Sequence, residues 1–258
     1  ARRRRVTTFL LAWGTPVALL AIWEISARAG RLDTRFFPAP DTIWRAGVAS
    51  FETGVMTDAI GDTVGKLLVG YAGGVTAGVV LGLLLGMSWI ARAALEHTLI
   101  ALYTLPKLAL FPVFLLIFGL GGLPQIVLVG VTVFFIVVLA STTAVLSVEQ
   151  GYRDAATVFG ARRGLLLRHV IVPAAMPAIA TSIRLTAGIA ILVIVGIEMV
   201  SGSTGLGYLI FQRSQVFDPA TMYAGVIVAG VLGVTFTGLV GLLLRLAVPP
   251  HSLRKSHA

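Results

Sequence analysis

Cysteine is absent from the 258 residues. No disulfide and no thiolate metal site can be built from this chain, and the absence leaves its compartment open. Charge is scarce as well. Only 12% of the residues are charged, where a soluble domain carries roughly 25%. Such a chain cannot cover a water-facing surface. At 57% hydrophobic residues and a mean hydropathy of +0.95, it belongs in a bilayer. The four histidines show no ligand-like spacing. His-Glu-x-x-His, Gly-x-Ser-x-Gly and paired aspartates are missing, so nothing supports an intramembrane enzyme or a metal site. No Gly-x-x-x-x-Gly-Lys-Ser/Thr occurs, so any nucleotide is handled by another chain. The net charge of +9 does not indicate nucleic acid, because the arginines flank apolar runs and form no basic stripe interleaved with stacking aromatics.

What remains reads as an all-α membrane protein. Six apolar runs, at about 6–25, 64–87, 99–119, 125–146, 179–200 and 222–248, have the length of transmembrane helices. They form a single transmembrane domain over residues 1–258. The first run follows Arg2 to Arg5 and exceeds the h-region of a signal peptide, so it is expected as an uncleaved helix with Trp13 and Trp23 near the interfaces and Pro16 as a possible kink. Between the first two runs, Phe36 to Pro40 stops the helix. Ile43, Trp44, Val48 and Phe51 then suggest either a short interfacial helix or an ordinary loop. The second run carries Gly70, Gly74, Gly78, Gly82 and Gly86, each four residues after the last. That is a bare stripe for close packing, within the chain or against another. A short linker with Trp89, Arg92, Glu96 and His97 follows.

The third run is broken by Pro106 and Pro112, with Lys107 between them. This is either a pathway break or a kinked packing helix. The fifth carries Arg184 and Glu198, fourteen residues and about 21 Å apart on a straight helix, too far to pair with each other. An intramembrane carboxylate is a functional candidate. The alternative is a helix-end charge that caps a neighbour or pairs with an arginine. Gly202, Gly205 and Gly207 make the next turn, and the sixth run ends in Arg245 and a tail with Arg254 and Lys255. The arginine distribution puts both termini in the cytoplasm.

Between the fourth and fifth runs lies a polar island at 149–177. A helix to Phe159, a turn at Gly160, and an apolar patch at Leu165, Leu166, Leu167 and Val170 that Pro173 ends make a cytoplasmic knob. Asp154-Ala155-Ala156, three residues, Gly160-Ala161, then Val170, Val172 and Pro173 resembles the EAA loop of ATP-binding-cassette importer permeases. Asp154 stands for glutamate and Val172 for leucine. Phe37-Pro38-Ala39-Pro40, Pro106 to Pro112 with Phe118-Gly119, and Glu198-Met199 with Gly205-Leu206-Gly207-Tyr208 resemble the nitrate, sulfonate and taurine branch.

The resemblance implies that the loop docks into a separate ATPase subunit through Asp154, Ala155, Ala156, Gly160, Ala161, Val172 and Pro173. It also implies a second permease copy and an extracytoplasmic solute-binding protein. No cofactor is expected on this chain, with ATP and Mg on the partner ATPase. Candidate pathway residues are Pro106, Lys107, Pro112, Arg184 and Glu198. For a small oxyanion, Lys66, Lys107 or Arg184 are the available cations. Related permeases carry neutral or aromatic solutes, including pyrimidine precursors of thiamine, so the cargo stays open. A membrane scaffold protein is the alternative class.

Overall fold

A computed structural model describes residues 2–201 and 204–247. Gly202, the end of the sixth run at 248, and the tail with Arg254 and Lys255 lie outside them. So do the side chains of Arg2 to Arg5 and Trp13. The described residues form helices and turns, with no strand among them. In chain order these are α1 (Arg2–Arg28), α2 (Pro40–Glu52), α3 (Val55–Met87) and α4 (Trp89–Thr104). A 3-10 turn (Lys107–Leu110) leads into α5 (Phe111–Phe118). Then come α6 (Leu123–Leu146), α7 (Gln150–Val158), α8 (Arg163–Leu166), a π turn (Leu167–Ile171), α9 (Val172–Ser201), α10 (Leu206–Gln215) and α11 (Pro219–Ala247).

Among the described residues, four helical stretches are long and apolar enough to cross a membrane: Val55–Met87, Leu123–Leu146, Gly164–Val200 and Pro219–Leu246. The pair Trp89–Thr104 and Lys107–Phe118, bent by 90°, adds a fifth if it is one broken span. α1 covers the first expected run as one 27-residue helix.

Several boundaries depart from the sequence reading. The second run begins at Val55, not near 64, because a helix need not stop where its residues turn polar. The expected linker after it shrinks to Ser88, whose hydroxyl caps α4 by accepting from the Ala91 N–H at 3.2 Å. Trp89, Arg92, Glu96 and His97 are therefore helical. Pro173 does not end the knob either. Gly164 to Val200 continues as one helical stretch through the π turn, in which the Val172 N–H donates to the Leu167 carbonyl five residues back. Widening the turn there relieves the clash of a proline ring with the carbonyl one turn earlier, so the helix passes Pro173 intact. Pro106 does break its helix. Leu105 is extended, as a residue before proline prefers.

The glycine stripe packs inside the chain, against α6. A Cβ on Gly70 would lie 2.6 Å from the Ile126 carbonyl, one on Gly78 2.9 Å from the Val137 Cβ, and one on Gly82 2.5 Å from the Ser141 Cβ. Gly74 and Gly86 face Val133 and Val145 in the same way. Val129, Val133, Val137, Ser141 and Val145 also recur every four residues, so one i+4 ridge lies in one i+4 groove. Lipid is as apolar as the side chains, so this close fit, and not burial from water, holds the pair together.

α9 lies across the pair. Leu67, Phe111, Leu128, Val133, Ile191, Ile194 and Ile197 form the central cluster, into which the broken third run inserts Phe111. Tyr71 of α3 donates to the Ile183 carbonyl of α9 and meets the Phe236 ring of α11 edge-on at 5.1 Å. The stretch after α1 is a short helix and not an ordinary loop. α2 buries Ile43 beside Met56, Leu209 and Ala224 while Trp44, Val48 and Phe51 stay exposed.

Candidate functional site

Three places carry the expected residues. The first is a buried polar cluster where α3, α9 and the turn before α10 meet. Thr63 and Lys66 lie three residues apart on α3, hence on one face. Glu198, fully buried near the end of α9, accepts from Lys66 Nζ at 2.9 Å and from Thr63 Oγ1 at 2.8 Å. Lys66 also donates to the Thr204 carbonyl and hydroxyl at 3.0 and 3.2 Å. The Gly207 N–H donates to Glu198 Oε2 at 3.1 Å, and the Leu206 N–H to Thr63 Oγ1 at 2.8 Å. The carboxylate thus sits at the amino end of α10, where the backbone donors and helix dipole favour an anion.

Two glycines make the cluster possible. Gly205 has φ +107°, and a Cβ there would overlap the Glu198 carboxyl group. A Cβ on Gly207 would overlap the Val195 carbonyl. Glu198 therefore caps a neighbouring helix, as the helix-end alternative has it, but its partner is a lysine instead of an arginine. Lys66 is accordingly engaged and offers no free charge to an anion. Spacing could not pair residues 132 positions apart. The readable signal was the Thr63/Lys66 face on an otherwise apolar helix, together with Gly205-x-Gly207.

The second place is a groove of about 1040 Å³ between α9 and α11. Arg184 lines it, with Gly188 and Thr237 one turn further along. Arg184 and Glu198 go separate ways, as their spacing requires. Lys107 sits elsewhere, 4.5 Å above the Tyr103 ring and 5.7 Å from that of Phe135. Pro106 and Pro112 flank the turn that holds it.

The third place is the island. Asp154, Ala155 and Ala156 lie on α7, where Gln150 donates to Asp154 at 2.8 Å. Gly160 has φ +77°, its N–H donates to the Thr157 carbonyl, and that of Ala161 to the Ala156 carbonyl, both at 2.9 Å. This is a Schellman close, in which a left-handed residue satisfies the last carbonyls of a helix. Just before it, Val158 and Phe159 are 84% and 90% exposed. The base is buried. Ile171, Ala175 and Ile179 pack on Ala144, Val145 and Val148 beyond α6, with Leu83 and Met87 of α3 against them. Val172 is half-buried at this base and Pro173 is exposed. The exposed Val158-Phe159 tip escaped the sequence reading, which treated the apolar residue before the glycine as the end of a helix.

The chain is similar to known proteins in sequence and in fold. Residues 74–249 match the family described as binding-protein-dependent transport system inner membrane component. SsuC of Escherichia coli, a permease protein named for aliphatic sulfonates transport, is 29% identical over 86% of this chain and 84% of its own length. The taurine transport system permease protein TauC of Escherichia coli is 26% identical over 89% and 84%. The nitrate import permease protein NrtB of Leptolyngbya laminosa is 27% identical over 90% and 85%. In fold, the chain resembles one solved in inward facing conformations of the MetNI methionine ABC transporter. The TM-score is 0.62 at 22% identity, covering 74% of this chain and 94% of that one.

Proposed function

The chain belongs to the family of binding-protein-dependent transport system inner membrane components, the permease components of ATP-binding-cassette importers, and on that premise we propose how it is arranged and coupled. It is a multi-pass protein of the inner membrane. Residues 1–258 make one permease domain of six spans: α1, α3, the bent α4–α5 pair, α6, the stretch through α9, and α11. Both termini and the island face the cytoplasm. Two copies around a two-fold axis enclose the pathway, since so few helices enclose little alone. ATP and Mg are bound by a separate ATPase, and an extracytoplasmic binding protein delivers the cargo, a small anion of the nitrate, sulfonate or taurine type.

The knob is the contact with the ATPase, through Asp154, Ala155, Ala156, Gly160, Ala161, Val172 and Pro173. The observation that carries this is the contrast between its two ends. Its base is built into the ends of α3, α6 and α9, while its tip leaves Phe159 90% exposed at a tight turn. An apolar tip on a cytoplasmic knob is stable in a cleft of a partner and costly in water. Because the second half of the knob, from Gly164, and α9 are one continuous stretch, a displaced knob tilts α9 against α3 and α6. ATP binding then biases an inward-open and an outward-open packing differently.

The test is reconstitution of this chain with its ATPase and binding protein in liposomes. ATP-driven accumulation of labelled taurine, ethanesulfonate or nitrate, dependent on all three components, is expected. Accumulation independent of the ATPase, or none of any anion beside ATP-driven uptake of a pyrimidine, contradicts the reading.

A further inference from the structure

We infer that Arg184 selects the cargo, and that the α9–α11 groove takes an organic anion with an apolar body, its acidic head against the guanidinium. The inference rests on the importer reading and deepens it by naming the cargo class. Among the described residues lining the groove, Arg184 is the only charged one. Thr237 supplies the one hydroxyl, and the rest of the wall is aliphatic side chains, Met199 and glycines. Among the described residues no carboxylate pairs with Arg184. Gly241 leaves room for the side chain, since a Cβ there would lie 2.9 Å from Arg184 Nε.

The acid that would repel an anion is withdrawn. Glu198 lies on the same helix, but it is fully buried and neutralised by Lys66. The other two cations are engaged, Lys66 by Glu198 and Lys107 over two aromatic rings. Arg184 alone is left to meet a charge in an apolar wall. An uncompensated guanidinium beside low-dielectric walls attracts an anion more strongly than it would in water. A neutral solute would leave that charge uncompensated. A bare inorganic oxyanion would fill only a small part of a groove of about 1040 Å³. An anion with an apolar body satisfies both the charge and the wall. Guanidinium also suits this class, because its planar fork pairs bidentately with flat or tripodal oxyanion heads. An anionic phospholipid has the same chemistry. The groove is assigned to a water-borne solute because the importer reading counts Arg184 among the candidate pathway residues.

The missing cysteines make a direct test available. Thr237→Cys puts a single thiol in the groove and keeps Arg184. The chain is assembled with its ATPase in phosphatidylcholine liposomes and offered two methanethiosulfonates of similar size, an ethylsulfonate and an ethyltrimethylammonium. In each case the thiolate attacks the sulfenyl sulfur, a disulfide forms and methanesulfinate leaves. The mass of this chain reports the extent. Gly188→Cys, whose Cβ meets only Thr237 Oγ1 at 3.7 Å, serves if Thr237→Cys does not assemble.

The sulfonate reagent is expected to react faster, and Arg184→Gln in the same background to lower the sulfonate-to-ammonium rate ratio about tenfold. Taking the ratio cancels any change in thiolate fraction. Butanesulfonate should protect the thiol, and equimolar nitrate should not. No reaction with either reagent, or a ratio unmoved by Arg184→Gln, overturns the site. Equal protection by nitrate overturns the apolar-body requirement. Loss of labelling on adding phosphatidylglycerol makes a lipid the occupant and overturns the solute. Copurification of the ATPase and ATP-driven uptake are read separately, so failure here is distinguishable from failure of the importer reading.

Discussion

Glu198 sets the energetic stakes at the scale of single residues. A buried ion pair gains little over a well-packed apolar pair, but removing one partner strands the other at a cost of about 3–5 kcal/mol. Glu198→Gln leaves the Lys66 ammonium buried beside a neutral amide. It is therefore expected to lower the melting temperature of the purified complex and to impair uptake while the ATPase still copurifies. The double variant Lys66→Met with Glu198→Gln should be less damaging than the two single changes combined, because no stranded charge remains. Additive losses in a thermal-shift cycle would show that the pair is not coupled. Gly205→Ala should fail by another route, since its Cβ overlaps the carboxyl group and its φ is left-handed. Unchanged stability of that variant would contradict the tight turn.

Helices α3 and α6 are fitted backbone to backbone, and the fit is specific to one register of glycines. Gly82→Ala would place a methyl 2.5 Å from the Ser141 Cβ, whereas Gly73→Ala, one face away, meets nothing within 4 Å. The first is expected to destabilise the folded chain by about 1–3 kcal/mol, as overpacking does. The second should be neutral or slightly stabilising, since alanine is the better helix former. Equal melting temperatures in detergent would refute the register.

This stripe was fully legible in the sequence, because a period of four is a property of one segment. So was the turn at Gly160, where the chain needs a residue that tolerates positive φ. The partner of the stripe and the Lys66–Glu198 pair were not legible, because both depend on segments far apart in the chain. The fate of Pro173 misled the reading for a local reason. A proline usually stops a helix, but a π turn immediately before it lets the helix continue. Ser88 misled in the opposite sense, as one capping residue does the work of a whole expected linker.

In the whole molecule, the second half of the knob, α9 and the buried Lys66–Glu198 cluster form one mechanical line. From Gly164 the second half of the knob continues through the π turn into α9, and α9 ends in the carboxylate that holds α3 and the start of α10. A push on the knob beyond the Gly160 turn is therefore carried along one helical stretch to the Lys66–Glu198 pair. The account depends most on the claim that this tip is the contact with the ATPase. Gly160→Val tests it most directly. A β-branched residue at φ +77° strains the Schellman close and redirects Phe159, while the long helices, the stripe and the Lys66–Glu198 cluster are untouched. The expected result is normal membrane insertion of this chain with at least a several-fold loss of copurifying ATPase. Full retention of the ATPase and unchanged uptake in Gly160→Val would contradict the account.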